Sequence, residues 1–351
     1  MVSEEGENIT VEGNVTTTGD ASAGVIGEND SNITVNGDIT TSGGSIKGKD
    51  ENGEYWRSSD GVIANGATVK VNGDITVSGT GSAGVSANNN ATVEVTGNVE
   101  AKGDNQTHEG QTGGTYIDKW ADGVEADNGS KVTVDGNVTS QKGWAIDSHG
   151  SDVTVNGDVH SEKGSAINAR KGSTITIDGS VSSNAGITLG GIIETTESTI
   201  KITKDVTAKN AWGILAGSEA DIEVGGNISS EKVAVYIAGK DALIVVDGNV
   251  YSTKGCAMDI LEQAEATVKG DVSGNKLAIW MDNSSKLQAL GKISSNDVGI
   301  LLSLYGDQGT GELELGTIDA QTAISINYGE YKDIDKILAA LPEMTVYKMN
   351  A

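Results

Sequence analysis

The sequence predicts an all-β solenoid, a chain wound into about thirteen coils with three short strands in each coil. A phrase of the type Val-Thr-Val-Asn-Gly-Asp-Val, as written at 153–159, recurs with small changes thirteen times along the 351 residues. Its glycine, or the residue that replaces it, returns about every 22 residues, a period typical of solenoids. Aromatic residues make up only 4% and Phe is absent. Such a composition suits a narrow interior filled by Val, Ile, Ala and Thr.

The first strand of each coil is indicated by strict alternation of apolar and polar residues. Examples are Ile-Thr-Val at 33–35, Val-Thr-Val at 132–134 and Ile-Thr-Ile at 175–177. Alternation with a period of two is the pattern of a half-buried strand. The Asn-Gly or Asp-Gly pair that follows, as at Asn156-Gly157, could form a hairpin turn. We interpret it as a corner, because hairpins would not give one strand of each kind per repeat.

Two further apolar positions complete the coil. After each corner an apolar residue such as Ile39, Val159 or Val250 restores the inward direction and predicts a short second strand. A small residue followed by Val or Ile, as at Gly84-Val85, then predicts the third strand. Equivalent residues are expected to stack from coil to coil at the strand spacing of about 4.8 Å.

These motifs resemble those of right-handed parallel β-helix proteins of the pectin-lyase-like type. The resemblance is greatest to Gly-rich bacterial surface repeat proteins that carry I-T-V-x-G-x-[IV]-T-x-x-G followed by a small residue and Val or Ile. It covers residues from about 8 to 326 and implies the right-handed winding. The family includes polysaccharide lyases, glycoside hydrolases, autotransporter passengers and adhesins, so the resemblance implies a fold and leaves the activity open.

The domain organisation follows from the extent of the repeats. We expect one β-helix domain over 1–326 and a C-terminal cap over 327–351. Within the cap, helical spacing, an N-capping Asp333 and the following Pro342 predict a short helix at 333–341 that covers the last coil, followed by a tail. At the other end, either residues 1–7 fold over the first coil or a preceding domain covers it, and we favour the second reading.

Two insertions interrupt the repeat, at about 43–59 and 102–121, both between the second and third strands. The first contains Tyr55, Trp56 and Arg57, and the second contains Tyr116 and Trp120. Polar and aromatic loops on a rigid scaffold are frequent binding sites, and Tyr and Trp rings suit stacking on sugars. These five residues are therefore the candidate glycan-binding residues. The alternative is that the aromatic side chains only fasten the insertions to the coil.

Carboxylates near the insertions give an alternative, catalytic interpretation. Asp60 and Asp122 precede the small residue of the two inserted coils. Glu125, Asp147 and Asn168 occupy equivalent outward positions on three successive coils. Asp60 and Asp122, two coils apart, would be about 10 Å from each other, and Glu125 and Asp147 on neighbouring coils about 5 Å. Both spacings would be compatible with the carboxylate pairs of glycosidases. A solvated or ion-binding cluster is the more ordinary reading of an acidic chain. We expect no cofactor, with Ca²⁺ as the one ion that such carboxylates would suit. The three histidines do not have the spacing of a metal site.

The later coils present an outward row of apolar residues, Leu215, Tyr236, Trp280 and Leu301, interrupted by Asp259. Apolar stripes of this kind are typical of interfaces. We expect the row to contact a second copy of the chain, a neighbouring domain or a glycan, unless the segment after Pro342 folds back over it.

Charge limits the choice of partners. The chain has 24 Lys and Arg against 50 Asp and Glu, a net charge of -26 that would repel nucleic acid and anionic lipid. No apolar stretch is long enough to span a membrane, and the first residues do not form a secretion signal. The sequence therefore favours a non-catalytic bacterial surface or secreted β-helix module that binds glycans or serves an adhesive or structural role. The alternative is a carbohydrate-active enzyme, either a polysaccharide lyase or a glycoside hydrolase.

Overall fold

The computed structural model describes residues 2–3, 5–50, 53–109, 115–184, 191–304, 311–328 and 343–350. Every regular element within these residues is a β-strand, and the strands form a parallel β-solenoid of about thirteen coils. The predicted all-β solenoid is therefore confirmed. The chain divides into two compact units, unit 1 (Met1–Gly179) and unit 2 (Ser180–Ala351).

In unit 1, each coil contributes a strand to each of three parallel stacks, the first-, second- and third-strand stacks. The first strands are β1 (Asn8–Glu12), β4 (Asn32–Asn36), β9 (Thr68–Val71), β12 (Thr92–Val95), β17 (Lys131–Val134), β20 (Asp152–Val155) and β23 (Thr174–Ile177). The second strands are β2 (Val15–Thr17), β5 (Ile39–Thr41), β10 (Ile75–Val77), β13 (Val99–Ala101), β18 (Val138–Ser140) and β21 (Val159–Ser161). The third strands are β3 (Val25–Glu28), β8 (Val62–Asn65), β11 (Val85–Asn88), β16 (Val124–Asp127), β19 (Ile146–His149) and β22 (Ile167–Arg170).

Unit 2 repeats the pattern, and its strands lengthen towards the last coils. The first strands are β26 (Thr199–Ile202), β29 (Asp221–Val224), β32 (Leu243–Val246), β35 (Glu265–Val268), β38 (Lys286–Ser294), β40 (Glu312–Asp319) and β42 (Glu343–Asn350). The second strands are β24 (Val181–Ser183), β27 (Val206–Ala208), β30 (Ile228–Ser230), β33 (Val250–Ser252) and β36 (Val272–Ser273), and β38 pairs with both β35 and β36. The third strands are β25 (Gly191–Thr195), β28 (Trp212–Ala216), β31 (Val235–Ala238), β34 (Met258–Leu261), β37 (Leu277–Asp282), β39 (Val298–Ser303) and β41 (Thr322–Asn327).

Successive coils are stacked in register, so each residue lies opposite its equivalent in the next coil. Val153 of β20 pairs with Val132 on one side and with Ile175 on the other. Val153 and Val155 are fully buried, whereas Thr154 between them faces outward and is half-buried. The alternation seen in the sequence is thus the alternation between the interior and the surface.

The glycine of the corner between the first and second strands is required by close contact between backbones. At Gly157, a Cβ atom would lie 2.6 Å from the carbonyl oxygen of Gly136, its equivalent one coil earlier. The same conflict recurs at Gly136, whose Cβ would lie 2.6 Å from the carbonyl oxygen of Gly97. Because each of these two corners rests on the one before it, neither has room for a side chain.

The residue after the corner glycine links the coils by a side-chain ladder. The backbone N–H of Asn98 donates to Asp74 Oδ1 at 2.7 Å, and that of Asn137 donates to Asn98 Oδ1 at 2.9 Å. In unit 2, Asn249 donates in the same way to Asn227 at 2.9 Å. An Asn or Asp at this position therefore satisfies a backbone donor at a corner where strand pairing stops.

The two ends differ in part from expectation. The helix expected over 333–341 lies outside the described residues. The segment after it, expected to be a tail, forms β42, which pairs in parallel with β40 and adds a further strand to unit 2. At the beginning of the chain, Val2 forms a parallel bridge with Ile26, and the Ser3 N–H donates to the Ile26 carbonyl oxygen at 3.0 Å. Residues 2–3 therefore extend the third-strand stack along β3.

Substituting a corner glycine should destabilise the solenoid far more than substituting a glycine with free space. In Gly157→Ala the new Cβ would meet Gly136 O, and we expect the free energy of unfolding to fall by about 1–3 kcal/mol. In the control Gly44→Ala, the nearest atom to the Cβ is 3.7 Å away, so the change should be close to zero. Urea unfolding followed by circular dichroism measures both, and equal effects would contradict the proposed reason for the glycine.

Candidate functional site

Both insertions are antiparallel hairpins, where the sequence predicted loops. The first is formed by β6 (Ile46–Asp50) and β7 (Gly53–Arg57), and the second by β14 (Gln106–Glu109) and β15 (Thr115–Lys119). Each hairpin lies between a second and a third strand, on coils separated by one coil without an insertion. We call them hairpin 1 and hairpin 2.

The hairpins approach each other across the intervening coil, at Gly81. Ser45, at the base of hairpin 1, donates from Oγ to the Gly81 carbonyl oxygen at 2.6 Å. A Cβ atom on Gly81 would lie 2.9 Å from Gln106 Cβ and 3.4 Å from Lys119 Cβ of hairpin 2. Gly81 has a φ of +63° as well, so both its conformation and its surroundings favour glycine. Both insertions occur at the same position within the coil, between the second and third strands, and their bases lie next to each other in the structure.

The aromatic side chains of hairpin 1 have partners within the hairpin. Tyr55 lies across Gly48 on the facing strand, where a Cβ would be 2.6 Å from the Tyr55 ring. The Lys47 ammonium lies 5.2 Å from the centre of the Trp56 ring, within cation–π distance. Tyr55 is still 43% exposed, and Arg57 at the end of β7 is exposed.

Hairpin 2 is organised in a similar way. The rings of His108 and Tyr116 are stacked with centroids 5.6 Å apart, and His108 Nδ1 lies 2.9 Å from Asp118 Oδ1. Trp120, which follows β15, packs at 6.3 Å and a tilt of 57° against Trp144 of the next coil. Tyr116 and Trp120 remain 52% and 39% exposed. Each hairpin thus fastens its aromatic side chains and still presents part of their surface to solvent.

Asp60 and Asp122 are buried below the hairpins and accept hydrogen bonds from neighbouring coils. Asp60 Oδ1 accepts from the Ala83 N–H at 2.8 Å, and its Oδ2 accepts from the Ser58 hydroxyl at 2.7 Å. Asp122 Oδ1 accepts from the Trp144 N–H at 2.7 Å. The two residues are 1% and 4% exposed. Both carboxyl groups therefore satisfy backbone donors inside the coil wall, a role that the sequence did not reveal.

Burial has a large effect on the titration of these two carboxyl groups. It raises the pKa of Asp60 to about 6, in opposition to the nearby positive charge of Lys119. The pKa of Asp122 is raised well above its ordinary range, first by burial and then by the charges of Glu125 and Asp147. Desolvation therefore makes both acids harder to ionise than an exposed aspartate.

Lys119 is the cation of this site and was missed by the sequence reasoning. Its Nζ lies 3.6 Å from Glu125 Oε2. Burial alone would lower the pKa of Lys119, but the negative charges of Asp60, Glu125 and Asp122 outweigh that effect and raise it. The only hint in the sequence was a lysine at the end of the second insertion, and the hairpin that brings it back to the coil was not predicted.

Glu125, Asp147 and Asn168 form a row on adjacent third strands, as their spacing predicted. The register pairs Glu125 with Asp147 and Asp147 with Asn168. Asn168 Nδ2 donates to Asp147 Oδ1 at 2.6 Å. The Glu125 and Asp147 side chains are 31% and 18% exposed, so both are more accessible than Asp60 and Asp122.

His149 lies close to Asp147 of this row and to Asp127 on the neighbouring strand β16, contacts that sequence spacing did not suggest. Its Nε2 lies 3.3 Å from Asp147 Oδ1, and its Nδ1 lies 3.3 Å from Asp127 Oδ1. Burial raises the pKa of Asp147 and of Asp127, and His149 opposes the increase at both. Within the described ranges, no group of three or more His, Cys, Asp or Glu residues has the arrangement of a metal site. The same part of the chain contains no helix long and apolar enough to cross a membrane.

The apolar row of unit 2 also lies on adjacent third strands. Its register runs Leu215, Tyr236, Asp259, Trp280 and Leu301. The four apolar members are half-buried and Asp259 is buried. Trp212 stacks on Tyr236 with centroids 5.6 Å apart and covers part of this row.

Comparison with known proteins adds no functional assignment. No protein-family model, no curated protein and no solved structure matches this chain. Functional conclusions therefore depend on the geometry of its own residues.

The raised pKa of Asp60 gives the stability of the protein a measurable pH dependence. The folded-state pKa is about 6 against an ordinary value of 3.8, so folding binds a proton. The stabilisation is fully present below about pH 4 and is lost as the pH rises through about 6, a loss on the order of 3 kcal/mol. Asp60→Asn, which keeps an acceptor for the Ala83 N–H, should remove this part of the decline.

Urea unfolding at several pH values between about 4 and 7 measures the effect. Asp221→Asn, at an exposed carboxylate of unit 2, controls for the loss of one negative charge. Parallel stability profiles for the wild type and Asp60→Asn would contradict the buried, proton-binding role of this carboxyl group.

Proposed function

We propose that this chain is a non-catalytic β-helix module of a bacterial surface or secreted protein, which binds glycans through the two hairpins and has an adhesive or structural role. The observation that supports it best is the meeting of hairpins 1 and 2 at Gly81 beside accessible carboxylates. Two aromatic surfaces and hydrogen-bond acceptors on one rigid edge form a combination suited to a sugar chain.

The exposed ring surfaces are the first part of the argument. Tyr55, Tyr116 and Trp120 are between 39% and 52% exposed, although each ring is held by a neighbour. Rings held in place lose little conformational freedom on binding, and they can stack on the apolar face of a sugar. Glu125 and Asp147 would accept hydrogen bonds from sugar hydroxyl groups on the same edge. Arg57 is a further exposed donor on hairpin 1.

Burial of the two aspartates supports the non-catalytic reading. Asp60 and Asp122 are almost fully buried and hold backbone donors, so neither carboxyl group is accessible to a glycosidic bond. A general acid must be within hydrogen-bond reach of the atom that it protonates. The accessible pair, Glu125 and Asp147, has contacts to Lys119 and to Asn168 that suit a fixed charge network.

A carbohydrate-active enzyme is the second candidate, and one observation favours it. The pKa of Asp147 is raised by burial, and this carboxyl group lies opposite Glu125 on the neighbouring strand. A carboxyl group with a raised pKa beside a second carboxylate is the arrangement of a glycoside hydrolase. In a lyase reading, Lys119 would be the nearby cation.

The pectin-lyase-like kinship, the bacterial surface or extracellular location and the partner class belong to the same proposal. The parallel solenoid and the repeat phrase support the kinship, and the net charge of -26 favours a neutral or cationic partner over nucleic acid or anionic lipid. In this proposal, glycan binding requires no cofactor. Ca²⁺ bound by the accessible carboxylates belongs to the enzyme alternative.

Removing the indole rings of the hairpins should separate binding from stability. We expect Trp56→Ala and Trp120→Ala each to weaken glycan binding on an array by at least about tenfold, because stacking surface is lost. The melting temperature should change little. Tyr251→Ala removes a 42% exposed ring from the second-strand stack of unit 2 and is the matched control. A lower melting temperature with no effect on binding would make the hairpins structural clasps.

The enzyme alternative predicts product release from a glycan that binds. Reducing-end and double-bond assays on the bound glycans should show no turnover if the module is non-catalytic. Turnover that disappears in Asp147→Asn and persists in Asp221→Asn would replace the binding proposal with a hydrolase or lyase. Glu125→Gln, Asp122→Asn and Asp60→Asn would then separate accessible from buried carboxyl groups.

A further inference from the structure

The outward row of unit 2 contains a gap in a column of large side chains. Trp212 stacks on Tyr236, and Trp280 and Leu301 follow on later coils. Between Tyr236 and Trp280 stands Asp259, paired in register with both. We call this place, bounded by Tyr236 and Trp280 with Asp259 at its base, the Asp259 slot.

Asp259 lies at the base of the slot and lacks a complete set of partners. Its neighbours along β34, Met258 and Ile260, are fully buried, so alternation directs Asp259 to the outer face. It is nevertheless only 7% exposed, and its Oδ1 is buried without a hydrogen-bond partner. The Cys256 thiol contacts the carboxyl group. A buried carboxylate oxygen without a donor is costly, and native proteins rarely leave one.

The surroundings of the slot are negative. Burial raises the pKa of the Tyr236 hydroxyl, and the charges of Glu262 and Asp259 raise it further, so both carboxylates act on this ring. In the part of unit 2 that the structure describes, the ion pairs of lysine involve other acids, such as Glu231 and Glu265. Burial also raises the pKa of Asp259 to about 6, which leaves the group largely ionised at neutral pH. A bound cation would compensate the negative charge of the Asp259 carboxylate.

The dimensions of the slot favour a flat guest. Strands two coils apart are separated by about 9.6 Å, and a planar group in contact with a ring on either side at about 3.5–4.0 Å needs about 7–8 Å. By strand spacing alone, one flat layer matches the distance between the two rings, and two layers exceed it. Trp280 is held in place by its Nε1, which donates to Ser303 Oγ at 3.0 Å, and Tyr236 is held by Trp212. Both walls are therefore positioned before a guest arrives.

We propose that the Asp259 slot binds the guanidinium group of an arginine side chain from a partner polypeptide. Guanidinium is planar and cationic, stacks on aromatic rings and donates hydrogen bonds to a carboxylate. A quaternary ammonium would lack the N–H donor that Asp259 Oδ1 needs. The site lies in unit 2, far along the chain from the hairpins, and is independent of glycan binding there.

Titration with short peptides tests the slot in the full chain. The probes are acetyl-Gly-Arg-Gly-amide and the same peptide with citrulline, which has nearly the same shape and no charge. Tryptophan fluorescence and calorimetry should show binding of the arginine peptide, and binding of the citrulline peptide at least about tenfold weaker. Asp259→Asn should weaken arginine binding by a similar factor, whereas Asp221→Asn should leave it within about twofold.

A second variant keeps the test decisive if Asp259→Asn fails to fold. Trp280→Leu removes one wall of the slot and keeps an apolar side chain, and it should also reduce binding of the arginine peptide. Equal binding of the arginine and citrulline peptides, or equal binding by wild type and Asp259→Asn, would overturn the proposal. Binding of neutral oligosaccharides in place of arginine, lost in Trp280→Leu, would reassign the slot to sugars.

Discussion

Parallel, in-register hydrogen bonding from each coil to the next is the constraint on which the other features depend. Every coil must place its backbone about 4.8 Å from the one before it. At the corners of Gly136 and Gly157 this distance leaves no space for a Cβ. Where strand pairing stops, Asn and Asp side chains such as Asp74 and Asn98 accept hydrogen bonds from the backbone N–H groups of the next coil. These two requirements explain the glycine of the repeat phrase and the Asn or Asp that follows it.

The same constraint explains the positions of the unusual residues. In a regular stack a side chain meets its own equivalents, so Val meets Val or Ile in the interior. A cluster of side chains that differs from the repeat can form only where the sequence of one coil differs from that of its neighbours. Two hairpins do this in unit 1, where Lys119 is brought beside Glu125. In unit 2 a single carboxyl group, Asp259, interrupts a column of large side chains.

Buried carboxyl groups have two different roles in this molecule. Asp60 and Asp122 each accept a backbone N–H of a neighbouring coil, and burial holds their pKa values above the ordinary range. Such groups are part of the coil wall and are closed to a ligand. Asp259 has an oxygen without any donor and lies between two aromatic walls. The difference between them is hydrogen-bond satisfaction, which decides whether a buried acid is part of the wall or part of a site.

The sequence by itself determined the number of coils, the position of nearly every strand and the side chains that face inward. It could do so because the hydrophobic period and the corner residues are local and are repeated thirteen times. It also placed Glu125, Asp147 and Asn168 in one row, since register follows from equivalence in the repeat. Only the tertiary structure decided the hairpin form of the insertions, the burial of Asp60 and Asp122, and the place of Lys119. Those features occur where the repeat is broken, so the contacts of each depend on how one segment folds against coils that are distant in the chain.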